Sequence, residues 1–183
     1  MDTKQANIRL ADKLIREKGY NAFSFNDISV ALGIKNASVH YHFPTKVSLG
    51  IAVLKQHKSN LERFRLQHLS ANPLETLQEF IEVYSRLKAE NRICIVGSLA
   101  PDILTLDTEM TSALTEFAEE TVDFLSGVLN QGLNHKVFHF KQAPRTKALM
   151  IISTLLASLQ LTRLTNEEDF NKIKETIITE ILK

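Results

Sequence analysis

The stretch from Ser24 to Lys46, SFNDISVALGIKNASVHYHFPTK, constrains this chain more than any other part of it. Ser24 followed three residues later by Asp27 is a capping-box pattern, which predicts that a helix opens there. Ile28, Ala31 and Leu32 give that helix one apolar face at helical spacing. Gly33 then supplies a residue at ease with positive φ, so the chain can turn sharply, with Ile34 plugging the core beneath the turn. Asn36 is placed to cap a second helix that carries Ala37, Ser38, Val39, His40, Tyr41, His42 and Phe43. Pro44 ends it, because proline has no N–H to donate and restricts the residue before it. Two short helices about a tight turn make a helix-turn-helix.

The second of these helices is too short and too polar to be core. Val39 and Phe43, four apart, can face inward. That leaves Ser38, His40, Tyr41 and His42 around the outside, a set of small and hydrogen-bonding side chains suited to a DNA major groove. The Tyr41 hydroxyl and Lys46 can reach phosphates. The candidate DNA contacts are Ser24, Asn36, Ala37, Ser38, His40, Tyr41, His42 and Lys46.

Charge is distributed to match. The net charge of +1 conceals +5 over residues 1–58 and −4 over residues 59–183, a basic head on an acidic body. With 183 residues, of which 6 are Gly and 4 Pro, the chain is sparsely punctuated and can bury one sizeable core or two small ones. Its apolar pattern is helical nearly throughout, which predicts an all-α protein. The single Cys excludes an intramolecular disulfide. The amino terminus lacks an apolar signal core, and the longest mostly apolar stretch, Ala148 to Leu161, is too short to span a membrane, so the expected location is the cytoplasm.

Read in order, residues 3–18 predict a first helix stopped at Gly19, with Tyr20, Phe23 and Phe25 as bulk for a small three-helix head. From Lys46 a long helix is expected to about Leu69, its core face made by Leu49, Val53, Leu54, Leu61 and Phe64. Its histidines, His57 and His68, read as solvated or hydrogen-bonded. Residues 74–89 form an amphipathic helix with Leu77, Phe80, Ile81, Tyr84 and Leu87 inward. Asn91 to Gly97 reads as a break, and Gly97 to Leu106 as a short helix interrupted by Pro101. A long helix over 108–132 follows, then a loop from Gly132 through Gln142 anchored by Val137, Phe138 and Phe140. Pro144 opens a helix to about Leu164 that is apolar over most of its circumference, and a second subunit is the obvious cover for it. The last helix covers about 167–182. His135 and His139 are four apart but have no carboxylate or Cys at matching spacing, and neither a metal nor a cofactor is expected.

The run GYNAFSFNDISVALGIKNASVHYHFPTKVSL, Gly19 through Leu49, resembles the DNA-binding domain of the TetR family of one-component transcriptional repressors. Tyr-His-Phe-Pro-x-Lys at 41–46 is its most specific part. Two positions depart from the family pattern: Ala37 stands where Gly is frequent, and His40 where Tyr is frequent. The second places a group that titrates near neutral pH in the recognition helix, with stronger binding at acidic pH as the expectation.

The resemblance implies a DNA-binding domain at 1–48 and a ligand-binding and dimerisation domain at 49–183, with the helix from Lys46 as a lever. It implies a homodimer through the last two long helices, a palindromic double-stranded DNA operator, and release by a small-molecule or electrophile inducer. The segment RICIVGSLAPDI at 92–103 is similar to a subgroup whose members repress electrophile and aldehyde detoxification, which often carry a Gly-Cys-Leu-like sequence where this chain has Ile93-Cys94-Ile95. The pocket residues so implied are Leu61, Phe64, Phe80, Tyr84, Cys94, Leu99 and Phe117; each also reads as plain core. Cys94 is either a small buried hydrophobe or an electrophile-sensing thiolate, and the thiolate needs a depressed pKa for which Arg92 is the adjacent cation.

Two other classes compete. One is a helical ligand-binding protein whose head no longer reads DNA. The other is an enzyme, against which stands the lack of a nucleophile–base constellation, a Gly-rich phosphate loop or a carboxylate pair.

Overall fold

Several helices in this chain open on a local side-chain cap. The computed structural model describes residues 2–183, apart from the side chain of Glu167. Among these the architecture is all-α, with nine α-helices, two short 3-10 turns and no strand. Helix α1, Thr3–Lys18, opens on Asp2, whose carboxylate accepts from the Lys4 N–H at 3.0 Å. A 3-10 turn at Tyr20–Ala22 leads to α2, Phe25–Leu32, and α3, Asn36–His42. Helix α4 runs Lys46–Gln67, α5 Pro73–Ala89, α6 Ile95–Leu99, α7 Thr108–Asn134, α8 Pro144–Leu161 and α9 Glu167–Leu182. None of the described helices is long and apolar enough to cross a membrane.

Several boundaries differ from the sequence reading. Asn36 is the first residue of α3 rather than its cap. Lys35 holds the extended cap position, its carbonyl accepting from the Ser38 N–H at 2.8 Å, and no side chain caps this end. The short helix expected from Gly97 begins two residues earlier, because Cys94 caps it, and gives way to a 3-10 turn at Ala100–Asp102 around Pro101. Helix α7 extends past Gly132 to Asn134, and α8 stops at Leu161. Leu61 and Phe64, expected in the core face of α4, are half-buried.

The chain divides into two compact units: Met1–Asn60 with Cys94–Ala118, and Leu61–Ile93 with Glu119–Lys183. A boundary near residue 48 does not appear in this division, because the first unit is completed by residues distant in sequence. Its core joins Ile15 and Ile28 to Val39, Leu49 and Val53, and then to Leu99, Met110 and Leu114. The second unit buries the expected face of α5, namely Leu77, Phe80, Ile81, Tyr84 and Leu87, together with Leu125, Leu129, Leu155 and Ile181. Gly132 there lies under the Phe138 ring so closely that a Cβ would sit 1.9 Å from a ring carbon.

Candidate nucleic-acid interface

The geometry of the α2–α3 segment follows from two local devices. Ser24 accepts from the Asp27 N–H at 3.4 Å, while the Asp27 carboxylate takes the Ser24 N–H at 2.6 Å and hydroxyl at 2.7 Å. These hydrogen bonds, led by the Ser24 hydroxyl, hold the Asp27 carboxyl below the usual carboxylate range. At the other end Gly33 takes φ 64°, a left-handed conformation in which its N–H bonds back to the Val30 carbonyl at 3.2 Å. Together these fix where α3 starts relative to α2.

Val39 is fully buried and Phe43 is 3% exposed, so both pin α3 to the core. The remaining residues divide by exposure. Asn36, Ala37, His40 and Tyr41 are exposed, while Ser38 and His42 are half-buried. Positions 36, 37, 40 and 41 form one stripe on a 3.6-residue helix, so they constitute a single solvent-facing edge. Tyr41 is 84% exposed, an unusual placement for a large aromatic side chain unless something covers it. The His40 ring stands against Phe25, and the Tyr41 ring meets His42 at a centroid distance of 5.1 Å.

Lys46 is placed differently. Its ammonium donates to the Phe23 carbonyl and lies over two rings, 4.2 Å from the Phe23 centroid and 4.7 Å from that of Tyr20. Burial lowers its pKa, with Asp27 and Asp102 opposing. Lys35, which sequence reasoning passed over, is exposed at the N-terminus of α3; a cation immediately before a polar helix was the available signal. Thr45 and Ser48 cap the start of α4 reciprocally, at 3.2 and 3.0 Å.

The residues put forward for a ligand pocket fall into two groups. Leu61, Phe64, Phe80 and Tyr84 belong to the second unit. There Phe64 and Phe80 both pack on Phe124, at 5.6 and 6.3 Å between centroids, and Phe80 meets Tyr84 at 5.7 Å. Phe124 was missed, although it lies seven residues after Phe117 on the same helix. Cys94, Leu99 and Phe117 belong to the first unit, where Leu99 is fully buried core and Phe117 lies 5.9 Å from the His57 ring. A groove of about 280 Å³ runs instead along α8 and α9, lined by Met150, Thr154, Ile173 and Thr176 between Lys147 and Glu180.

Cys94 is half-buried, its Sγ accepting from the Gly97 N–H at 3.3 Å. Burial pushes the thiol pKa up, and the Gly97 and Val96 amides and the Arg16 guanidinium offset this only in part. The sensing role considered for this residue needs the opposite shift. Arg92, the adjacent cation, pairs with Glu90 at 2.7 Å. Among the described residues no group of His, Cys, Asp and Glu is arranged to hold a metal.

The family model for bacterial regulatory proteins of the tetR family matches residues 8–53, from within α1 to within α4. A TetR transcriptional regulator of known structure from Legionella pneumophila is 31% identical, with 99% of this chain and 98% of that chain covered and a TM-score of 0.89. A TetR-family regulator from Agrobacterium tumefaciens is 25% identical over 98% of this chain and 97% of its own, with a TM-score of 0.91. Among curated proteins, the negative transcriptional regulator IcaR of the biofilm operon icaADBC in Staphylococcus aureus (strain Newman) is 26% identical over 122 residues, 59% of this chain and 65% of its own. The chain spans between 61% and 65% of the length of the first curated relatives it matches. A helix-turn-helix that matches the family's own domain, set in a chain 31% identical to a TetR regulator over 99% of its residues, places this protein in the TetR family of bacterial transcriptional regulators.

Proposed function

We propose that the protein is a homodimeric transcriptional repressor whose two heads place α3 in successive major grooves of a near-palindromic operator, about 34–36 Å apart. The observation that carries this reading is the exposed edge of α3, Asn36, Ala37, His40 and Tyr41, held by the Gly33 turn and preceded by exposed Lys35. A helix edge of small, polar and aromatic groups with a cation at its N-terminal end suits base edges flanked by phosphates. The half-buried Ser38 and His42 border that edge, and Ser24 lies at the start of α2, where a phosphate would meet a helix N-terminus. The role of IcaR as a negative regulator supports repression over activation.

Dimerisation through α8 and α9 is supported by apolar side chains that the subunit leaves uncovered on α8: Leu149 is 44%, Met150 49% and Leu161 57% exposed. The inducer is a small molecule held non-covalently, and the aromatic group of half-buried Phe64 and Phe124 with buried Phe80 and Tyr84 is where its apolar part would be received. It releases DNA only to the extent that it prefers the non-binding state. The protein acts as a regulator and not an enzyme, and works in the cytoplasm where its operator lies.

The test is selection of duplexes from a random pool by the full-length protein, followed by fluorescence anisotropy and sedimentation. Enrichment of an inverted repeat, bound by a dimer, is the expected result. Weak binding that ignores sequence and vanishes at moderate salt would leave a helical ligand-binding protein whose head does not read DNA.

A further inference from the structure

We propose that Lys46 is a positioning residue for DNA recognition: its ammonium acts as a clasp that closes the two ends of the helix-turn-helix on each other, and it makes no phosphate contact. This rests on the DNA-binding reading above. The observation is one of connectivity. Phe23 is the residue immediately before the Ser24 cap of α2, and Lys46 is the first residue of α4, just after α3. The hydrogen bond from Lys46 Nζ to the Phe23 carbonyl therefore ties the chain where it enters the α2–α3 segment to the chain where it leaves, across 23 residues. Tyr20 and Phe23 meet edge to face at 6.3 Å and 88°, and the ammonium lies over both rings. A cation over two ring faces gains from each quadrupole, and more so when it is partly desolvated.

The same site explains why the Lys46 side chain is half-buried rather than extended into solvent. Asp27 of α2 and Asp102 of the 3-10 turn after α6 both attract it, and both belong to the same compact unit. Asn21, within the turn that supplies Tyr20, donates to the Thr105 hydroxyl at 3.3 Å, a tie between that turn and a residue outside the helix-turn-helix. An ammonium that left this site for a phosphate would give up a hydrogen bond and two ring contacts to gain one solvent-exposed charge pair.

The test uses the full-length protein and the duplex it selects from a random pool. Lys46→Met removes the charge and keeps the stem; Lys46→Arg keeps the charge, but a planar guanidinium cannot take the place of a compact ammonium between two rings and a carbonyl. Anisotropy is measured from low to moderate salt, at a temperature where circular dichroism shows both variants folded. The expected result is that both variants lose affinity for the selected duplex by about tenfold relative to random duplex, with the slope of log K against log salt unchanged. A slope shallower by about 0.9 per head in Lys46→Met, with Lys46→Arg binding as the native protein does, is the signature of a phosphate contact and would overturn the proposal. An unchanged specificity ratio in both variants would overturn it too. A measurement on the native protein guards against misfolded variants: amine acetylation followed by mass spectrometry is expected to modify Lys35 and Lys55 readily and Lys46 slowly, with DNA shielding Lys35 and leaving the Lys46 rate unaltered. Rapid acetylation of Lys46 that DNA blocks would overturn the clasp. If no duplex is enriched at all, the DNA-binding reading fails first, which is separable from failure of the clasp.

Discussion

The imidazole of His40 stands edge-on to the ring of Phe25, with centroids 4.8 Å apart and planes at 66°, although His40 itself is exposed. A buried aromatic at the start of α2 thus fixes the aim of a side chain on the outer edge of α3. A recognition side chain that is oriented before it meets DNA loses less rotamer freedom on binding. His40→Ala is expected to relax discrimination at one position of each half-site, by about 1–3 kcal/mol against the wrong base, while leaving the thermal midpoint close to that of the native protein. Comparing Kd for the selected duplex with those for its single-base variants reads this directly. Equal losses on every duplex would show that His40 makes no base contact.

The Ser24–Asp27 box sets a pH dependence whose sign is determined. The charged Asp27 carboxylate is the form that accepts from the Ser24 hydroxyl and backbone, and its folded pKa lies below the ordinary 3.8. Its contribution is therefore fully present above about pH 4 and is lost as pH falls through the lower folded value. Ser24→Ala is expected to cost about 1 kcal/mol at neutral pH, and to flatten the acid limb of the head's stability curve below about pH 4. Thermal melts across that range test it, and an acid limb identical in native and Ser24→Ala proteins would contradict the assignment.

Cys94 should be slow to react. Burial raises its thiol pKa above 9.0, and its sulfur is engaged as the cap of α6. Iodoacetamide is expected to alkylate the folded protein at neutral pH at least about tenfold more slowly than the protein unfolded in guanidinium, since the thiolate is the reactive form. Fast alkylation in the folded state would return Cys94 to the role of sensor.

Gly132→Ala should destabilise the second unit. Its new Cβ would fall 1.9 Å from a ring carbon of Phe138, which is 1% exposed and cannot move outward without opening the core. The expected cost is about 1–3 kcal/mol, or roughly 2–4 °C in thermal midpoint for each kcal/mol in a chain of this size. An additional Phe138→Leu change should recover part of the loss, and a midpoint unchanged by Gly132→Ala would show that the α7–α8 loop yields freely.

What the sequence determined by itself was everything that rests on neighbours within a few residues. The Ser24 box, the Gly33 turn, the stop at Pro44 and the apolar face of α5 are each settled by bonds or contacts spanning one or two helical turns. A motif built from such pieces is legible as a string, and so was the exposed edge of α3, because Val39 and Phe43 declare which side is buried.

Tertiary structure alone decided where charge and sulfur stand. Lys46 meets Phe23 across 23 positions, Arg16 on α1 is a cation whose field reaches Cys94, and Phe124 joins Phe64 and Phe80 from a different helix. Leu99, Met110 and Leu114 complete the core that α1–α4 begin, which is why the compact unit does not end near residue 48. The physical reason is common to all of these. Periodicity tells which face of a helix is buried, whereas the energy of an ammonium or a thiol depends on what is packed against that face, and that is set by chain segments far apart in sequence.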